Sequence, residues 1–370
     1  MKTIKTAAIL ALVAIIIIGV GYALNQHKRN NSIKIGAIMI LSGEGASWGE
    51  ASRNGMEMAI ADINKSGGVL GRPLEGVYED DQSDPKTSVS AFNKLVSADN
   101  IKFVVGPNWS ATGLPLVDLA TQSKVVMISP SLGVADFNEG SEYIFNTWPH
   151  DALLSAQLGD YVYAQGHRHV ALFGAQDPWV KAQTKAFTDE FTKKGGVVDM
   201  TYEPTTDTKD VRTEVAKVVA DKKIDAVVMT TDGYSLTDIN AEQLREGGVK
   251  VPFYNITTDN KIIADCGTSC EGMIFPTFLT PTKTFSDEYK AKYNRDVEIG
   301  ADSAYDAVMM LAQAMEATKS TDPDAVKVYL SNIKTYQGAS GTLTSDGKRA
   351  FTKPYILKEV KSGVAVTIPN

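Results

Sequence analysis

The chain has 370 residues, enough for two domains of roughly 150 residues with room for a sizeable core. With 43% hydrophobic and 22% charged residues it reads as a folded globular protein, which excludes wholesale disorder, a collagen-like repeat and a polytopic membrane architecture. A net charge of -7 with no offsetting Lys/Arg stripe argues against nucleic acid, and two cysteines and four histidines leave little for metal or other cofactors.

After Lys2 and Lys5 an uncharged run extends from Ala7 to Leu24. Its length lies between a signal-peptide core and a minimal spanning helix. Gly21-Tyr22-Ala23 offers small residues for cleavage after Ala23, whereas Ile15 to Ile18 favours retention as an anchor. Residues 1–24 are therefore a signal peptide or a membrane anchor, and both place the remainder outside the cytoplasm, in the periplasm or at the cell surface. No cysteine stands near the segment to carry a lipid. Residues 25–32 turn polar and read as a linker.

From Ile33 the chain alternates. Ile33 to Leu41 has strand length and apolarity, and Met56, Ala59, Ile60 and Ile63 recur at helical spacing over 50–65. Leu74 to Asp80 is a second strand, and Asp84-Pro85 supplies an N-cap and a first-turn proline for a helix to about Ala98. The beat continues with strands at 103–106, 125–129, 170–173, 197–202, 226–230 and 253–255. Helices at 152–165, 178–194, 211–221 and 237–246 separate the later ones. Short apolar strands alternating with amphipathic helices predict parallel sheets covered on both faces, hence an α/β chain of two doubly wound units. The last third departs from this rhythm. Ala304, Val308, Leu311 and Met315 mark a long helix, and Gly/Thr/Ser-rich chain precedes β-like segments at 355–360 and 364–368.

In open parallel sheets ligands bind beyond the carboxyl ends of the strands. Trp48, Trp109, Trp148 and Trp179 all fall in or beside loops of that kind. Any one of them could plug a local core, but four together suggest an aromatic-walled pocket for a small organic solute. Ser110 stands between a buried strand and a helix start, so it either caps that helix or joins its free N–H groups in holding a carboxylate.

Five blocks carry a family resemblance: GAIMILSGEGASWG at 36–49, INKSGGVLGR at 63–72, EDDQSDP at 79–85, GPNWS at 106–110 and SPS at 129–131. In order and spacing they resemble the type I periplasmic solute-binding proteins of the leucine/isoleucine/valine-binding kind. The resemblance implies two lobes joined by three crossover strands, closing on a solute that is delivered to an ABC permease in the membrane. It places lobe one at 33–148 with 279–338, and lobe two at 149–278 with 339–370. A monomer is expected. By the same resemblance Trp48 lines the side-chain pocket, Ser110 and Ser131 bind the carboxylate and ammonium of an amino acid, and Trp179 replaces a tyrosine of the second lobe. Two positions depart from the family pattern. Gly133 stands where a threonine hydroxyl is usual, and Thr257 where an acid pairs with the ammonium. Asp232 could supply that charge from a neighbouring loop or could cap the next helix, so the solute is an amino acid or another small carboxylate, such as an aromatic acid.

Enzymatic readings find no support. Gly43, Gly45 and Gly49 imitate a dinucleotide fingerprint with the wrong spacing, and the acids Glu79 to Asp81 follow too late for it. There is no Walker loop or H-E-x-x-H. His167 and His169 lack a neighbouring acid in sequence and read as solvent-facing. In an exported protein Cys266 and Cys270 are expected to form a local disulfide. A transport receptor is favoured over a membrane-anchored sensor of the same fold, because too few residues precede the apolar run to form a signalling domain.

Overall fold

The computed structural model describes residues 31–43, 45–231, 236–278 and 281–369. The apolar N-terminal run and Asp232 lie outside them. No helix among the described residues is long and apolar enough to cross a membrane.

The first half of the chain runs β1 (Ile33–Met39), α1 (Ala46–Lys65), β2 (Leu74–Asp80), α2 (Pro85–Asn93), β3 (Phe103–Val105), α3 (Ser110–Gly113), α4 (Val117–Ser123), β4 (Val126–Ser129), α5 (Ala135–Glu139) and β5 (Ile144–Asn146). The five strands form one parallel sheet in the order β2-β1-β3-β4-β5. Side-chain alternation in β1 serves both faces: Ile35, Ala37 and Met39 enter one core, and Ile38 enters the opposite one with Phe92 and Val104. Strands covered on two faces need few polar residues, which explains runs such as Phe103–Val105. Gly106, just past β3, has φ +117, and a Cβ there would overlap the Ile38 carbonyl oxygen, so only glycine lets the loop leave so close to β1.

The second half runs α6 (Ala152–Ala164), β6 (His169–Phe173), α7 (Pro178–Lys193), β7 (Val197–Tyr202), α8 (Arg212–Ala220), β8 (Ala226–Met229), α9 (Thr237–Glu246), β9 (Phe253–Asn255), α10 (Asn260–Cys266) and β10 (Ile274–Phe278). Then come α11 (Lys283–Tyr293), α12 (Ala301–Thr318), α13 (Pro323–Asn332), β11 (Thr335–Gly338), β12 (Gly341–Ser345), β13 (Phe351–Thr352), β14 (Tyr355–Lys361) and β15 (Val364–Ile368). The second sheet has the order β15-β14-β10-β9-β8-β6-β7. Its strands β6 to β10 pair in parallel, and β14 and β15 add an antiparallel edge. Its two faces carry separate cores, with Phe173 and Met229 on one and Leu172 and Val228 on the other. Cys266 and Cys270 form a disulfide at the end of α10.

The chain passes between lobes three times: after β5, after β10 and between β13 and β14. The third passage differs from the expected boundary at 339. Strands β11 to β13 make a small antiparallel sheet, and Leu343 and Phe351 are buried in the first lobe's core beside Met310 and Leu330. The segment is rich in Gly, Thr and Ser, so its sequence carries little sign of which lobe it joins. Its few apolar side chains nevertheless dock on lobe one, and the crossing falls at Lys353-Pro354.

His167 and His169 also differ from expectation. His167 bonds Asp225 (3.3 Å) and Tyr254 (3.0 Å), and His169 bonds Asp199 (2.8 Å). Both acids lie on other segments of lobe two, which parallel pairing brings alongside.

Candidate functional site: a tryptophan-lined cleft

The loops that leave the carboxyl ends of both sheets face one another across a cavity of about 390 Å³. Lobe one lines it with Trp48, Asn108, Trp109, Ser110, Ser131 and Gly133, and lobe two with Asp177, Trp179, Lys209, Thr231, Ile256 and Thr257. Trp148 and Asp151, on the first crossing, close the back. All four tryptophans therefore share one cavity. Trp48 and Trp109 meet edge to face, with ring centres 6.3 Å apart.

Lobe one positions its polar groups through Asn108. The Asn108 side-chain amide donates to Ser52 Oγ (2.8 Å) and Ser131 Oγ (3.1 Å), and its Oδ1 accepts from the Ile40 N–H (3.3 Å). Ser131 in turn donates to the Asn108 carbonyl (2.9 Å), so its proton is committed within the protein. Ser110 is different. It is 3% exposed, and its Oγ finds no partner among the described residues. Nor does it cap the helix behind it: Trp109 holds the N-cap position of α3, and Ser110 is the first helical residue. A buried hydroxyl left without a partner costs free energy, and here it borders the cavity.

Lobe two holds Trp179 by a local device. Asp177 caps α7, accepting from the N–H groups of Trp179 (2.8 Å) and Val180 (3.1 Å), with Pro178 preset for the first turn. The indole is thereby presented at the cleft.

Asp151 was not foreseen from the sequence. Its Oδ1 accepts from Trp148 Nε1 (2.8 Å) and its Oδ2 from Trp179 Nε1 (2.7 Å). The carboxyl is buried, lines the cavity, and forms an ion pair with no described residue. Burial pushes its pKa up to about 6, against the pull of the two indole hydrogen bonds. The same carboxyl accounts for Gly133, because it fills the space that a side chain at 133 would need. Thr257 lines the cavity but brings no charge. The only hint in the sequence was an acid three residues after Trp148, a spacing too common to single out. Among the described residues no cluster of acids, histidines or cysteines is arranged to hold a metal.

A periplasmic binding protein family model matches residues 32–365. The chain belongs to that family. A Leu/Ile/Val-binding protein homologue of Brucella melitensis is 30% identical over 324 residues, covering 84% of this chain and 86% of the relative. A leucine-, isoleucine-, valine-, threonine- and alanine-binding protein of Pseudomonas aeruginosa is 29% identical, covering 86% and 87%. Among solved structures, a leucine-binding protein of Thermotoga maritima superposes with a TM-score of 0.83 at 21% identity, covering 91% of this chain and 98% of that one. A solute-binding protein of R. palustris in complex with benzoate gives 0.80 at 18%, covering 91% and 95%. Both structures speak to the fold alone. Periplasmic binding proteins of this kind are solute receptors of ABC transporters and not enzymes, and the cleft between the lobes is where such a receptor would take its solute.

Proposed function

We propose that this chain is the extracytoplasmic receptor of an ABC importer, that it captures an α-amino acid with an apolar or aromatic side chain, and that it delivers it to a membrane permease. The observation that carries the solute class is Asp151. A carboxylate taken out of water without a cationic partner is costly, and a solute that brings an ammonium offsets that cost while completing the acceptor's geometry. The Ser110 hydroxyl, with no partner among the described residues, suits the solute's carboxylate. The tryptophans supply apolar area for the side chain and cation–π attraction of roughly 0.5–2 kcal/mol for the ammonium. The relatives named for leucine, isoleucine and valine support this class. In this reading residues 1–24 export the chain, as signal peptide or anchor.

Calorimetry on wild type and Asp151→Asn tests the reading, using amino acids alongside their deaminated acids. The amino acid should bind the variant at least tenfold more weakly, with the deaminated acid almost unaffected. Binding of deaminated or aromatic acids alone would replace the amino-acid reading with that of a plain carboxylate.

A further inference from the structure

The three crossings meet on one indole. Trp148 lies on the first. Phe278, where the second leaves β10, packs edge to face against it with ring centres 5.3 Å apart. Lys353, on the third, places Nζ over the indole 5.1 Å from its centre. The same indole donates from Nε1 to Asp151 in the cleft.

Lys353 is an unusual lysine. Its side chain is 2% exposed and pairs at 3.2 Å with Asp302, whose own side chain is 4% exposed. Asp302 sits in the first turn of α12, where a helix favours an acid, and the neighbouring Ser303 carbonyl accepts from Thr147 Oγ1 on the first crossing (2.9 Å). A buried ion pair is weak support for stability, because apolar residues of similar size often serve as well. The contact on Trp148 gives Lys353 a more specific task. An ammonium held over one face of the ring restricts the ring's tilt and polarises the indole, which strengthens its N–H as a donor.

We infer that Lys353 is a positioning residue for the solute: from the third crossing it fixes the Trp148 indole, and through that indole it aims the Asp151 carboxyl into the cleft. Hinge and binding site then share a single run of contacts from Asp302 through Lys353, Trp148 and Asp151 to Trp179. The consequence for solute binding rests on Asp151 being the ammonium partner, whereas the positioning itself can be read without any solute.

The test follows the indole Nε1–H resonances of Trp148 and Trp179 in the ¹⁵N-labelled full chain, assigned with Trp148→Phe and Trp179→Phe. Asp151→Asn should move both. Replacing the buried pair together, K353M/D302L, leaves no unpaired charge and should move the Trp148 resonance while the protein still melts cooperatively. Lys353→Arg should leave that resonance in place. With L-leucine as probe, K353M/D302L should bind at least tenfold more weakly and Lys353→Arg within about threefold of wild type. If K353M/D302L does not fold, Lys353→Gln carries the same expectation. A folded Lys353 variant without the cation whose Trp148 resonance stays put overturns the positioning role alone. An Asp151→Asn protein in which neither indole moves overturns the Asp151 contact itself, and the proposed solute class with it.

Discussion

A Cβ added to Gly133 would overlap Oδ2 and Cγ of Asp151 and come within 3.1 Å of its Cβ. The backbone of the two residues is tied as well, since the Asp151 N–H donates to the Gly133 carbonyl at 3.0 Å. Glycine at 133 is thus the condition for a carboxyl at this point of the cleft.

Gly133→Ala should therefore act on binding through Asp151. The methyl pushes the carboxyl away from the two indoles, and overpacking of this kind costs about 1–3 kcal/mol. We expect a lower melting temperature and an affinity for amino acids reduced tenfold or more, with deaminated acids retained. Calorimetry and thermal unfolding on the same preparation check both. Unchanged amino-acid binding would show that the carboxyl does not face the solute.

Protonation of Asp151 gives a pH dependence of known sign. An ammonium binds the ionised form, and the folded pKa is about 6, so protons compete with the solute as pH falls below that value. Affinity for a bound amino acid should be level above pH 7 and about tenfold weaker at pH 5. For folding the sign is opposite. A carboxyl whose pKa rises from 3.8 to about 6 on burial favours the folded state when protonated, so stability is lost as pH rises from about 4 to 6. The amount is roughly 3 kcal/mol for such a shift. Asp81 and Asp306, raised by burial to about 6 as well, add to the same trend. Denaturant unfolding of solute-free protein between pH 4 and pH 7 should show the decline, and Asp151→Asn should make it shallower while leaving the share of Asp81 and Asp306.

Ser110→Ala separates binding from stability. The hydroxyl has no partner among the described residues, so its removal should leave the melting temperature unchanged or slightly higher. If it holds the solute's carboxylate, the loss is a charge-assisted hydrogen bond of roughly 1.5–3 kcal/mol, or about 10- to 150-fold in affinity. An early-melting variant with normal affinity would assign Ser110 a structural role.

The alternation of strand and helix was legible because it depends on local pattern. Leu74–Asp80, Val197–Tyr202, Phe253–Asn255 and Thr237–Glu246 fall where apolar runs and turn residues place them. Asp84-Pro85 marks a helix start that the structure builds with an Asp84 cap. The end of the sheet to inspect was legible as well, since parallel strands send their connections to one end: Trp109, Ser131, Gly133 and Thr257 sit in connections there, and Trp48, Ser110 and Trp179 in the first turns of the helices that follow. Tertiary structure alone decided which groups meet there. Asp151 is an ordinary acid until the first crossing and α7 bring Trp148 and Trp179 to its two oxygens, from positions three and 28 residues away. Lys353 follows a Gly/Thr/Ser-rich stretch that gives no sign of a partner for it until β11 to β13 fold against lobe one and carry it against Trp148. Periodicity reports which face of an element is buried, but the pairing of charges and hydrogen bonds across a cleft depends on how separate elements pack. Local spacing carries no record of that.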